Sequence, residues 1–299
     1  MPFFIHIHSY LHDITLSPYL LSNKMNKRLF LSCLFLLTLL ASHAASIDTV
    51  ETYSAAMKKN IKAVVVTPDG YNKTTALPVV YLLHGYSGNY ADWVQRAKGF
   101  EKDADRYQVI IVCPDGGFGS WYWDSPVDSS FRYETYVAKE LVQWVDAKYK
   151  TIKDRKGRAI TGLSMGGHGA LYLAIRHPEV FGAAGSMSGG VDIRPFPNNW
   201  DMAKRLGSYA TQPERWESHT VINMLHHLTP NSLALLIDCG REDFFYNVNK
   251  ALHEQLTYRN IPHEFISRPG AHNWPYWSNA VGYQLLFFHK FFTSGPAKS

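Results

Sequence analysis

The order of apolar runs constrains this chain more than any single residue does. Short runs rich in Val, Ile, Leu and Ala lie at 62–67, 77–83, 108–113, 159–161, 183–187, 233–238 and 264–268, and several are almost continuously apolar. Such runs suit strands covered on both faces by helices, because a strand with one wet face alternates polar and apolar residues instead. Helical patterns lie between them. Over Glu134–Tyr149 the apolar residues Val137, Leu141, Trp144 and Val145 recur at helical spacing, which predicts one buried stripe. The alternation predicts an α/β fold with a mostly parallel central sheet, helices on both faces, and the first strand or two antiparallel. In sheets of this kind chemistry gathers at the carboxyl ends of the strands.

One strand end carries a distinctive turn. Arg158–Thr161 reads as a strand, Gly166–His177 as a helix stopped by Pro178, and Gly162-Leu163-Ser164-Met165-Gly166 lies at their junction. Gly-x-Ser-x-Gly between a strand and a helix is the pattern of a nucleophile elbow, which holds a serine hydroxyl clear of the backbone. The glycines permit the turn, since a β-carbon there would collide with the neighbouring strand or helix. A serine hydroxyl also needs a base, and two later strand ends offer partners. Asp238, Glu242 and Asp243 follow the run at 233–237, and His272 follows Pro269-Gly270-Ala271. His272 is the candidate base. Asp243, furthest out along its loop, is the candidate for orienting the imidazole, with Asp238 structural and Glu242 facing solvent.

A tetrahedral oxyanion needs two donors. The N–H of Met165, directly after the serine, is one candidate, and the N–H of Tyr86 in Leu82-Leu83-His84-Gly85-Tyr86-Ser87-Gly88 is the other. His84 reads as an organiser of that loop and, close to the site, is also a candidate for substrate contact. Trp121, Trp123, Trp274 and Trp277 are candidates for lining the substrate cleft, with Trp200, Trp216 and Tyr276 as further aromatics, because flat rings suit a sugar or a phenolic group. Core packing is the competing explanation for each of them. Residues 189–229 are the least regular stretch and form either a small cap-like insertion over the site or a surface excursion.

The amino-terminal region reads as processing signal rather than fold. Asn26-Lys27-Arg28 follows a second methionine, Met25, and precedes an apolar run at 29–41 that is short for a membrane span; Ser42-His43-Ala44 then supplies small residues. Residues 25–44 are therefore expected to be a signal peptide, residues 1–24 an upstream extension from a mis-assigned start, and 45–299 a single catalytic domain that is secreted or periplasmic. Cys33 sits too early in the apolar run for a lipid anchor. Residues 1–44 carry Lys24, Lys27 and Arg28 against Asp13, so the formal charge of +5 falls to +3 without them. That mild, dispersed balance argues against nucleic acid as a partner, and no membrane span is expected after cleavage. Cys113 and Cys239 are expected to be buried free thiols, and no metal spacing is present.

Several motifs in this order resemble the esterase D family of α/β-hydrolases: His84-Gly85, Pro114-Asp115-Gly116, Tyr133-Glu134-Thr135-Tyr136, Gly162 through Ala170, Asp238-Cys239-Gly240 through Asp243, and Gly270-Ala271-His272-Asn273-Trp274. That family includes S-formylglutathione hydrolases, tributyrin esterases, feruloyl and acetyl xylan esterases, and mycolyltransferases. The resemblance implies an α/β-hydrolase fold, a Ser164–His272–Asp243 triad, oxyanion donors at Tyr86 and Met165, and no cofactor. It implies an exported serine carboxylesterase acting through an acyl-enzyme on acetyl, feruloyl or other short-chain esters, small or linked to polysaccharide. The alternatives are a thioesterase like the formylglutathione hydrolases, an acyltransferase to a sugar, and a catalytically silent carbohydrate-binding protein.

Overall fold

The computed structural model describes residues 45–294; the expected signal peptide, the upstream extension and Cys33 lie outside the described residues. The chain first forms β1 (Ser46–Ser54), β2 (Lys59–Thr67) and β3 (Val79–Leu83), then α1 (Asp92–Arg96), α2 (Glu101–Tyr107) and β4 (Ile110–Pro114). It continues through α3 (Tyr133–Thr135), α4 (Val142–Lys148), β5 (Arg158–Gly162), α5 (Met165–Arg176) and β6 (Ala183–Met187). Next come α6 (Met202–Leu206), α7 (Pro213–Ser218), β7 (Ala234–Gly240), α8 (Tyr246–Tyr258), β8 (Glu264–Arg268) and α9 (Trp274–Thr293). The strands join in one sheet of order β1-β2-β4-β3-β5-β6-β7-β8. β1–β2 and β2–β4 are antiparallel and the remaining pairs parallel, as the sequence predicts.

Alternate residues of the central strands feed two separate cores. Val79, Tyr81 and Leu83 pack with Leu171 of α5 and Leu252 of α8, while Val80 and Leu82 pack with Ala104 of α2 and Val281, Leu285 and Phe288 of α9. This period-2 division explains why the strands read as unbroken apolar runs: both faces are dry.

Two elements depart from the sequence reading. β1 was not expected as a strand, because its inward positions near the hairpin are Thr52 and Ser54 whereas Ile47 and Tyr53 face outward. Its buried hydroxyls are satisfied: Thr52 Oγ1 donates to Ile61 O at 3.1 Å and Ser54 Oγ donates to Glu140 at 2.5 Å. The expected helix over 134–149 is interrupted by a π turn, Tyr136–Leu141, which leaves the Val137, Leu141 and Val145 stripe buried. No helix among the described residues is long and apolar enough to cross a membrane.

Candidate active site

β5 ends at Gly162 and α5 begins at Met165, so Ser164 occupies the reversal between them. Its φ of 55° and ψ of −117° are unusual for a residue with a side chain, a conformation that costs on the order of 1–3 kcal/mol and persists only when its surroundings enforce it. Ser164 N donates to Met187 O at 2.9 Å and Gly166 N to Leu163 O at 2.7 Å, fixing the turn on both sides. A β-carbon on Gly166 would lie 2.6 Å from the His84 and Leu83 carbonyl oxygens, and one on Gly162 2.7 Å from Leu83 O. The collisions expected from the sequence therefore involve backbone of β3 and its exit loop.

Ser164 Oγ lies 2.9 Å from His272 Nε2, and His272 Nδ1 lies 2.8 Å from Asp243 Oδ2. Asp243 is buried, and its other oxygen accepts from Phe245 N at 2.8 Å, which sets the carboxylate plane. A carboxylate can only accept, so it holds the imidazole proton on Nδ1 and leaves the Nε2 lone pair for the serine hydroxyl. Asp238 is separate from this chain of bonds: it is fully buried, taking bonds from Arg268 Nη2 at 2.8 Å and from the Tyr276 hydroxyl. Glu242 does more than face solvent. Its backbone N–H donates to Gly270 O at 2.9 Å and its carboxylate accepts from Gly270 N, so it ties the Asp243 loop to the His272 loop.

The β3 exit loop is held from below by His84. Gly116 N donates to His84 Nε2 at 2.7 Å, so that nitrogen is unprotonated and Nδ1 carries the proton given to Gly85 O, also 2.7 Å away. Burial lowers the pKa of this imidazole, in keeping with a neutral ring. His84 is 1% exposed, so it organises the loop and offers no surface to a substrate; that part of the expectation is corrected. Among the described residues neither the Tyr86 nor the Met165 N–H has a protein acceptor. Amides left free beside Ser164, at a loop and at the start of a helix, are suited to a developing negative charge.

The aromatic expectations need correction too. Trp121 and Trp123 are 1% and 0% exposed, stacked on each other, with Trp123 Nε1 donating to His168 Nε2 at 2.9 Å. They are core beneath the site. Trp277 is buried and sets its ring perpendicular to that of His272, 4.8 Å between centroids, while its Nε1 donates to Ser188 Oγ. Trp274 packs between Trp93 and the Arg96 guanidinium. Trp216 and Tyr276 are likewise buried. The rings that do face outward are Phe244, 53% exposed and 4.2 Å from the His272 ring, and Phe118, 59% exposed and edge-on to Tyr86 at 4.9 Å. Neither is a candidate from the sequence, although Phe244 directly follows Asp243 and Phe118 lies two residues beyond Pro114-Asp115-Gly116. Trp200, from the 189–229 segment, stacks on Phe244 at 5.7 Å, bringing that segment to the edge of the site.

Cys113 and Cys239 are free and buried, and burial pushes both thiols upward. Among the described residues no group of three or more His, Cys, Asp or Glu is placed to hold a metal ion. A cavity of about 840 Å³ lined by Arg176, Arg194, Glu217 and His226 among others contains neither Ser164 nor His272. The Ser164 constellation lies instead among open loops at the carboxyl edge of the sheet.

The sequence profile of the Esterase family matches residues 54–288. The acetyl esterase of Caldicellulosiruptor saccharolyticus is 25% identical over 256 residues, spanning 79% of this chain and 95% of that protein. The S-formylglutathione hydrolase of Bos taurus is 26% identical over 242 residues, spanning 73% of this chain and 83% of that protein. A solved ferulic acid esterase superposes with a TM-score of 0.73 at 28% identity, covering 84% of this chain and 100% of that one.

Proposed function

The chain belongs to the Esterase family, and from that membership we propose that it is an exported serine carboxylesterase working through an acyl-enzyme. One observation carries the reading: an unbroken Ser164–His272–Asp243 hydrogen-bond chain beside two free amides. Ser164 Oγ attacks the ester carbonyl carbon as its proton passes to His272 Nε2. The carbonyl oxygen takes the electron pair and is held by the Tyr86 and Met165 N–H groups. The carbonyl re-forms, and the alcohol leaves with the proton from His272. Water then attacks the acyl-serine, giving its proton to His272, and the acid departs as that proton returns to Ser164.

Substrates are acyl esters with acetyl or feruloyl groups, free or attached to plant polysaccharide. The named activities of the acetyl esterase relative and the ferulic acid esterase structure support this, as do the outward faces of Phe118 and Phe244. The signal-like segment at 25–44 supports export. Ester substrate is the partner proposed, with no role for nucleic acid or a cofactor. The purified protein should release p-nitrophenol from p-nitrophenyl acetate and take up a fluorophosphonate at Ser164. Ser164→Ala should lower kcat on the order of 10⁶-fold. Equal activity in the two proteins would overturn the assignment. Rates on matched acetyl, butyryl and feruloyl esters, and on an S-acyl thioester, would then rank the substrates.

A further inference from the structure

Asp201 stands at the start of α6, where an aspartate ordinarily caps its own helix by accepting from the first-turn amides. It makes no such bond. Its carboxylate turns away, taking the Tyr86 hydroxyl at 3.2 Å on one oxygen and Lys204 Nζ at 2.9 Å on the other. Lys204 holds the Asp201 carboxyl below the usual range, so it is an ionised acceptor, and burial with the nearby carboxylate keeps the Tyr86 phenol protonated as the donor.

The backbone around Asp201 is shaped for this reach. Trp200 and Asp201 have φ values of 50° and 58°, two successive side-chain-bearing residues in the left-handed region. Such a pair is disfavoured unless several contacts impose it. Here Trp121 Nε1 donates to Trp200 O at 3.1 Å, the Trp200 ring stacks on Phe244, and Asp201 binds Tyr86. Gly119 makes room: a β-carbon there would lie 3.0 Å from Tyr86 Cε2 and 3.5 Å from Asp201 Cβ.

Resting on the esterase reading above, we propose that Asp201 is a positioning residue for the oxyanion site, fixing Tyr86 and hence the direction of its backbone N–H. Main-chain bonds flank this residue, with Gly88 N donating to Gly85 O at 3.1 Å and Ser87 N to Phe118 O at 2.8 Å. The Tyr86 side chain is the remaining lever on the amide, and Asp201 holds its far end. The interaction matters when charge develops on the carbonyl oxygen, so its loss acts on kcat rather than on ground-state binding.

Kinetics with p-nitrophenyl acetate on the full chain test this. Asp201→Ala and Tyr86→Phe should each lower kcat about tenfold, since the amide is loosened rather than removed, with KM within about twofold of the parent. Asp201→Asn, which keeps an acceptor oxygen, should lose less. The Tyr86→Phe/Asp201→Ala double variant should be no slower than either single one. Tyr86→Phe removes one oxygen atom and carries the test if Asp201→Ala fails to fold. An active parent whose Tyr86→Phe variant keeps its kcat, or changes only in KM, overturns the inference alone. A parent that hydrolyses no ester and takes up no fluorophosphonate overturns the esterase reading with it.

Discussion

Asp243 and His272 meet through a single hydrogen bond, and the identity of one acceptor atom decides which imidazole nitrogen is free. Asp243→Asn keeps the side-chain volume but can present an N–H to Nδ1, which moves the ring proton to Nε2 and leaves no base facing Ser164. Under the proposed mechanism kcat should fall about 10⁴-fold with the fold intact, read by steady-state kinetics beside circular dichroism. Asp238→Asn should behave differently, since its partners are Arg268 and Tyr276, so stability falls more than kcat. If the two variants exchanged these effects, the assignment of the carboxylates would be reversed. The sequence separated these acids only by how far along the loop each lay. What separates them physically is which one the β8 exit loop reaches.

At the scale of elements, the elbow and the last helix make opposite demands on glycine. Gly166 stands where a β-carbon meets two backbone carbonyls of a central strand and its exit loop, atoms that cannot yield without breaking the sheet. Gly282 lies within α9, where the nearest atom to an added β-carbon is Asp103 Oδ2 at 3.8 Å. Gly166→Ala should therefore fail to accumulate as folded protein. Gly282→Ala should raise stability by about 0.5–1 kcal/mol through helix propensity, seen as a higher thermal midpoint. Both glycines belong to helical segments, yet only contacts from distant strands distinguish them.

For the whole molecule, buried titratable groups set the response to acid. Burial pushes His168 down to about 3 from an ordinary value of 6.5, while it donates to Gly190 O and accepts from Trp123. Burial alone would raise Glu134, but bonds from His177 and Arg176 hold it at about 2 against an ordinary 4.5. Both folded-state values lie below the unfolded ones, so the unfolded chain binds more protons between them and stability declines as pH falls. The His168 contribution is lost from about 6.5 downward towards 3, and that of Glu134 from about 4.5 towards 2. Calorimetry should show the thermal midpoint dropping steadily between pH 6.5 and 4; a constant midpoint over that range would contradict a neutral buried His168.

The sequence by itself determined the layered fold and the chain order of Ser164, Asp243 and His272. Those rest on local rules: apolar runs must be buried, a strand-to-helix reversal needs glycine, and reactive groups collect at strand ends. Tertiary structure decided what composition leaves ambiguous. A tryptophan is equally suited to a core or a cleft wall, so burial of Trp121 and Trp123 and exposure of Phe118 and Phe244 follow only from which loops pack together. β1 escaped notice because polar Thr52 and Ser54 point inward, satisfied by partners elsewhere in the chain. Asp201 carries an ordinary capping signal, and only the tertiary fold brings the Tyr86 hydroxyl, 115 residues away in sequence, to one of its carboxylate oxygens.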